Sequence, residues 1–398
     1  VSKRILNDWI DNYLVYTENS EPPKMFRLWS AISTIAAVLQ RKCRFNWGSL
    51  VFYPNMYTVL VGPPAARKGT AMNQAFPFLE QLDIKRSAEA TTRESLIQQL
   101  KNSAANDTSS DGNFIFHASL TIWAQELTVF LGYHNHQLLS DLTDWYDCRH
   151  HWKYQTKHEG TDEITGVFVN LFGATTPDLI RSTMPLDAIG GGLTSRMIFI
   201  FERNKGKVVY YPGLTKEEHI LGEKLADDLA RIHMMRGRFK VADNFIPEWA
   251  NWYLAQEGNP PFRDNRFAGY FERRATHILK LCMIVSASRS ERMIITIKDL
   301  ERSIEILTMT ERKMSQTFSG VGQSPHAGVL VQVMNDIGMK GKMTFSELLD
   351  IYKNDADKWT LEKIMDTLVS TKFVMKPVIK GSEITYKHRE TFEKEEIL

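Results

Sequence analysis

Residues 59–70 read VLVGPPAARKGT, and the fold turns on how that stretch is understood. An apolar run, MYTVLVG at 56–62, ends at Gly62; small residues follow, and a lysine opens a helical pattern. This is the layout of a phosphate-binding loop, with Gly62, then Pro63, Pro64, Ala65 and Ala66, then Arg67, Lys68, Gly69 and Thr70. In such a loop backbone amides wrap phosphate oxygens, the lysine brings a mobile positive charge, and the helix presents its positive end to the anion. All nine residues are therefore candidate nucleotide contacts. Two depart from the usual pattern. Arg67 replaces the second glycine, and Gly69 stands where a Ser or Thr hydroxyl holds magnesium. Thr70, one residue on, reaches the metal only if the loop is reshaped. The competing reading is an ordinary strand-to-helix turn that holds a lysine.

Working outward, further strands are expected at 120–124 (LTIWA), 167–176 (VFVNLFGATT) and 196–202 (RMIFIFE). Helices are expected after Lys68, Thr92, Leu138 and Pro177. Strands separated by helices predict an α/β fold with a parallel sheet covered on both faces. Residues 101–113, polar and glycine-containing, read as an exposed loop. Hydrolysis needs a carboxylate at the end of a neighbouring strand, and LTIWAQE supplies Glu126 to activate water. Gln125 stands where an aspartate would hold the magnesium shell, so Thr70, Gln125 and Glu126 form the candidate metal set. A helix-start carboxylate is the plainer account of Glu126. Asp141, Asp144 and Asp147 are weaker candidates. Thr175 or Thr176 offers a hydroxyl to the lytic water, and a threonine that merely ends a strand explains either equally well. Asn170, within the strand pattern, reads as structural, with a polar sensor role as the alternative.

Arg196 follows GGGLTS and opens its strand, placed to reach a nucleotide in a neighbouring subunit, where a guanidinium would stabilise phosphoryl charge. A surface ion pair is the alternative, and Arg181 is the runner-up. Arg273 and Arg274 begin an amphipathic pattern that would fold over the nucleotide or merely carry surface charge.

The 398 residues carry 49 basic and 47 acidic side chains, so any polyanion contact has to be a local patch. Cys43, Cys148 and Cys282 are far apart, which argues against a disulfide framework or a structural zinc site. His134, His136, His150 and His151 match no standard zinc spacing, and no ordered Ser/His/Asp arrangement stands out. With no signal-peptide pattern and no run of roughly 20 apolar residues, the expectation is a soluble, cytoplasmic protein without membrane contact. The expected divisions are a helical collar (1–50), a P-loop core (51–205), a helical lid (206–320) and, after a linker, three helices with a β-hairpin (321–398), a winged-helix pattern.

Taken together, EPPKMFRLWSAISTIAAVLQRK, YPNMYTVLVGPPAARKGTAM, AQELTVFLG, FGATTPDLI, GGLTSRMIFIF and RRATHILKLCMI resemble the phage and plasmid replication helicase-like P-loop ATPases, over residues 20–290 or so. The tail resembles that of AAA+ ring helicases of the viral superfamily 3 and minichromosome-maintenance types. The resemblance implies an AAA+ core, with a RecA-like core as the alternative. It also implies a hexameric ring that uses ATP and Mg2+ to move on DNA in a bacterial or phage-infected cell, alongside other replication proteins. Lys68 and Thr70 would serve the loop, Glu126 the catalytic carboxylate, Thr175 or Thr176 a sensor, Arg196 a finger across the interface, and Arg273 or Arg274 a second sensor. The stretch 152–169 is similar to the pore hairpins of such rings. Lys153, Lys157 and His158 near its tip, with Lys380 and Lys387 of the wing, are the candidate DNA contacts. A helicase loader, or an initiator that binds ATP only to assemble, are the competing functions.

Overall fold

In the computed structural model the described residues are 4–109, 112–132, 135–156, 160–183, 190–262, 264–318, 326–375, 378–380 and 383–389. The chain divides into two compact units, 1–319 and 320–398. The first begins with α1 (Trp9–Tyr16), α2 (Lys24–Leu39), β1 (Cys43–Trp47), β2 (Leu50–Phe52), β3 (Tyr57–Val61) and α3 (Lys68–Gln81). Next come α4 (Arg93–Asn102), β4 (Ala104–Thr108), β5 (Phe114–Ala124), α5 (Leu127–Leu131) and α6 (His136–Tyr146). A hairpin of β6 (His151–Thr156) and β7 (Gly160–Thr165) leads into β8 (Val167–Thr175), α7 (Pro177–Thr183) and β9 (Met197–Phe201). The unit closes with α8 (Lys216–His233), β10 (Gly237–Val241), α9 (Phe245–Gln256), α10 (Ala268–Arg289), β11 (Ile294–Ile295) and α11 (Ile297–Met314).

The molecule is mixed α/β. Its central sheet has the order β4-β5-β8-β3-β9. Strands β3, β8 and β9 are buried at every position, as apolar runs sandwiched between helices should be. All but β4 run parallel, with Val61 level with both Thr175 and Phe201, and Ala124 level with Gly173. Four carboxyl ends therefore meet at one edge, which is where parallel sheets bind ligands. A second sheet, β11-β10-β1-β2, joins segments nearly two hundred residues apart.

Two expectations need correcting. Residues 104–108 are an antiparallel edge strand on β5, not a loop. Its side chains are mostly exposed, so nothing in its sequence shows a face. Helix α2, expected in a collar, is a core element: Phe26 to Leu39 are all buried. A helix apolar on all sides has to be surrounded by protein. The Thr296–Asp299 capping box is present as the sequence indicated.

The second unit consists of α12 (Ala327–Lys340), β12 (Lys342–Thr344), α13 (Phe345–Tyr352), α14 (Lys358–Ser370), β13 (Val378–Lys380) and β14 (Glu383–Lys387). Its antiparallel sheet has the order β12-β14-β13 over a core that includes Val333, Ile337, Leu348, Leu361 and Met365. Among the described residues no helix is long and apolar enough to cross a membrane.

Candidate functional site

The loop joining β3 to α3 sits at the edge where the four parallel strands end. Its entry is tight. A β-carbon on Gly62 would lie 2.3 Å from the Glu202 carbonyl oxygen, so only glycine fits there. Ala65 (φ 68°) and Arg67 (φ 66°) are both left-handed, a conformation that costs an L-residue about 1–2 kcal/mol. Backbone strain of this kind persists where the surroundings impose it, and it concentrates at ligand clamps. Arg67 thus adopts the backbone shape its usual glycine would provide. Its guanidinium pairs with Glu21 at 2.6 Å, and Glu21 also accepts from Lys205 at 2.6 Å. Those hydrogen bonds, the one from Lys205 first, hold the Glu21 carboxyl below its ordinary value.

Lys68 opens α3. Its ammonium donates to the carbonyls of Gly62 (2.7 Å) and Pro63 (3.0 Å), folded back over the loop. Burial lowers its pKa, and the neighbouring Glu126 carboxylate opposes that shift. Glu126 is the residue before α5, is exposed, and makes no capping hydrogen bond. The helix-start account of this carboxylate therefore has no hydrogen bond behind it.

The two threonines separate. Thr176 Oγ1 accepts from Leu179 N and caps α7. Thr175 is 1% exposed, its carbonyl accepts from Gly62 N at 3.4 Å, and its hydroxyl has no hydrogen-bond partner. Asn170 is structural, with its amide bonded to Met56 N and Ser33 O.

At the position expected to hold metal the geometry is different. The missing side chain of Gly69 would point to within 3.5 Å of Gln125 Oε1, while Gln125 Nε2 donates to Asn73 Oδ1 at 2.6 Å. Thr70 lies about 100° further round the helix and is exposed. The metal role expected of Thr70 and Gln125 does not fit this arrangement. Among the described residues there is no group of three or more His, Cys, Asp or Glu that would hold an ion.

Arg196, Arg273 and Arg274 are not brought to the loop. Arg196 precedes the amino end of β9, on the order of 16 Å along the strand from its carboxyl end. It is 7% exposed and held by Asp147 (2.7 Å) and the Gly192 carbonyl (2.7 Å). Arg273 reaches the same Asp147 at 3.8 Å. Arg274 is buried in a two-pronged pair with Glu311 (2.7 and 2.9 Å). The second-sensor contact expected of Arg273 or Arg274 within the chain is thus corrected, while the contact expected of Arg196 concerns a neighbouring subunit. Arg181 pairs with Asp178 on α7.

Five residues at this edge escaped the sequence reading: Glu21, Asn73, Glu202, Lys205 and Lys313. Lys313, in the last turn of α11, pairs with Glu202 at 2.6 Å and so flanks Gly62. Nothing local marks these residues: Asn73, on α3 itself, meets Gln125 only in the fold, and the other four come from other elements.

The candidate nucleic-acid contacts lie elsewhere. Lys153 on β6 pairs with Glu163 on β7, and Tyr154 stacks on Trp152 with the Arg93 guanidinium 4.6 Å from its ring centre. Lys157 and His158 lie outside the described residues. In the second unit Lys380 stands opposite Glu383 in register, and Lys387 opposite Lys342. The structure also assembles a Ser/His/Asp chain that the sequence concealed: Ser119 to His117 (2.9 Å) to Asp107 (3.0 Å). Ser119 and His117 are buried, and the chain ties β4 to β5.

Compared with known proteins, the chain matches no protein-family model and no curated protein.

Proposed function

We propose that the chain is a P-loop ATPase whose 59–70 loop holds the phosphates of ATP. The reading rests on one observation: two left-handed non-glycine residues hold a loop against the start of α3, with a lysine ammonium folded over its carbonyls. The fit favours phosphate. The amides at the start of α3 and the mobile Lys68 suit an anion, and Lys68 would exchange two carbonyls for phosphate oxygens. Bound ATP supplies a phosphoryl group open to attack by water. Glu126, unbonded beside Lys68, would take the proton from that water, and the Thr175 hydroxyl would position it. The fit for Mg2+ coordinated by Thr70 and Gln125 is poor, so no step is assigned to a protein-held metal.

An AAA+ core, a winged-helix tail, a hexameric ring and movement on single-stranded DNA complete the proposal. They are supported by the resemblance of residues 20–290 and by the β6–β7 hairpin ahead of β8. Arg196 would act only on a neighbour's nucleotide, and only after leaving Asp147. The test is the ATPase rate with and without single-stranded DNA, for wild type and Lys68→Ala. DNA should raise the rate and the variant should abolish it; a wild type inert in both conditions refutes the motor. The Gln125–Asn73 amide pair favours a second reading, an ATP-binding assembly factor with little turnover. Tight ATP binding without hydrolysis would select it.

A further inference from the structure

At the opposite, amino edge of the central sheet a cleft of about 170 Å3 opens beside β2, the end of α6 and α10. Its walls include Asn55, Tyr146, Asp147, Arg273, Thr276 and Lys280. Lys280 is 3% exposed, and its ammonium donates only to neutral oxygens: Asn55 Oδ1 (2.8 Å), the Asn55 carbonyl (3.2 Å) and the Tyr146 carbonyl (3.5 Å). It also lies 3.6 Å from the centre of the Tyr146 ring. Arg41, buried behind the same wall, donates to the carbonyls of Cys148 (2.9 Å) and Val167 (3.2 Å) and sits 4.4 Å from the centre of the Tyr53 ring. Arg196 and Arg273 share the single carboxylate of Asp147.

Four cationic side chains thus gather here, of which only Arg196 and Arg273 pair with the carboxylate of Asp147. Their neighbours do not close the gap. Burial pushes the Cys148 thiol up to about 11 and His277 down to about 3, so both are neutral near pH 7. The C-terminus of α6 contributes about half a negative charge. Burial, with Arg196 and Arg273 adding to it and Cys148 and Asp147 opposing, brings the Lys280 ammonium down to about 8, which leaves it charged at neutral pH. A buried cation without a counter-charge is strongly unfavourable. A cleft that opens onto one is an anion site in waiting. Its volume is close to the roughly 150 Å3 that holds a six-membered ring elsewhere, enough for a tetrahedral oxyanion.

We propose that this cleft is a phosphate site separate from the 59–70 loop, taking inorganic phosphate or the phosphate of a small monoester, with Lys280 and Arg273 as its donors. Arg273 is half-buried at the rim and turns from Asp147 to the ligand, while Lys280 exchanges its longest hydrogen bond, 3.5 Å to the Tyr146 carbonyl, for a ligand oxygen. The two sources share this chemistry and differ in what occupies the rest of the cleft.

The experiment is calorimetric titration of the full chain carrying Lys68→Ala, which removes the loop's lysine, with sodium phosphate and separately with glycerol phosphate. One ligand should bind one per chain, and the tighter of the two identifies the source. Adding Arg273→Ala should weaken binding at least about tenfold, the loss expected for a charge-assisted contact. Adding Asp147→Asn should strengthen it, because the competing carboxylate is gone. Absence of binding by both ligands, or affinity unchanged by Arg273→Ala in a protein with a native circular-dichroism spectrum, overturns the proposal.

Discussion

Thr175→Val separates a functional hydroxyl from a structural one, because the two predict opposite signs of stability change. The Thr175 side chain is 1% exposed and its hydroxyl has no partner in the protein. A buried polar group left unpaired costs roughly 1–3 kcal/mol. Valine keeps the branched shape demanded at the last position of β8 and removes that penalty. The variant should therefore be more stable than wild type by about 1–2 kcal/mol, read as a higher urea midpoint at unchanged m-value. Hydrolysis should move the other way. If the hydroxyl positions the attacking water, its loss should lower the ATPase rate by about 10- to 100-fold, with nucleotide affinity little changed. Thr176→Val supplies the control, since its hydroxyl caps α7. Loss of a cap destabilises by about 1 kcal/mol, with hydrolysis less affected. The reasoning fails if Thr175→Val unfolds at lower urea than wild type, or if it hydrolyses ATP at the wild-type rate.

Gly62→Ala would force its new methyl against the Glu202 carbonyl, so nucleotide binding should be lost and stability should fall by roughly 1–3 kcal/mol; wild-type nucleotide affinity by equilibrium titration would count against this. Glu126→Gln should retain ATP binding while lowering turnover by about 10²- to 10⁴-fold, with thermal stability unchanged because the carboxylate is exposed and uncapped; an undiminished single-turnover rate would remove Glu126 from the chemistry. His277 is fully enclosed, bonded to Tyr146 Oη and the Ser195 carbonyl, and burial brings its pKa to about 3. The unfolded chain takes up that proton near pH 6.5, so stability holds above 6.5 and falls as the pH drops towards 3. With about 1.4 kcal/mol per unit, the loss is of order 5 kcal/mol at most. His277→Gln should flatten this acid limb in urea titrations at stepped pH, and an unaltered slope would assign acid unfolding to other groups.

Much of the central sheet was readable because its strands are buried on both faces. MYTVLVG, VFVNLFGATT and RMIFIFE each announce a strand without any partner being known. Strand β4 was hidden for the converse reason: AANDT is polar, lies on an edge, and takes its structure from the backbone of β5. The second sheet was equally hidden, since Cys43–Trp47 pairs on one side with the short strand β2 and on the other with the distant Gly237–Phe239. At the site, composition and order exposed the loop itself, Lys68 and Glu126. They did not tell Thr175 from Thr176, a distinction that depends on which hydroxyl finds an amide. Nor did they place Arg274 against Glu311, a pairing between two helices thirty-seven residues apart.

The charge arrangement around the loop gives the departures at Arg67, Gly69 and Gln125 a common sense. Three basic side chains approach the loop and each is already satisfied: Lys68 by two carbonyls, Arg67 by Glu21, and Lys313 by Glu202. At the position expected for metal the opposite holds. Gly69 offers no hydroxyl, and Gln125 and Asn73 bond to each other as neutral amides, which leaves Glu126 as the one carboxylate of the expected metal set. If the loop holds phosphate as proposed, protein charge would meet it directly, with arginine and lysine supplying the positive charge that a metal supplies elsewhere. Glu21 holds Arg67 and Glu202 holds Lys313. On the proposed reading, an incoming polyanion would compete with these two carboxylates, which would couple occupancy of the loop to the segment between α1 and α2 and to the last turn of α11.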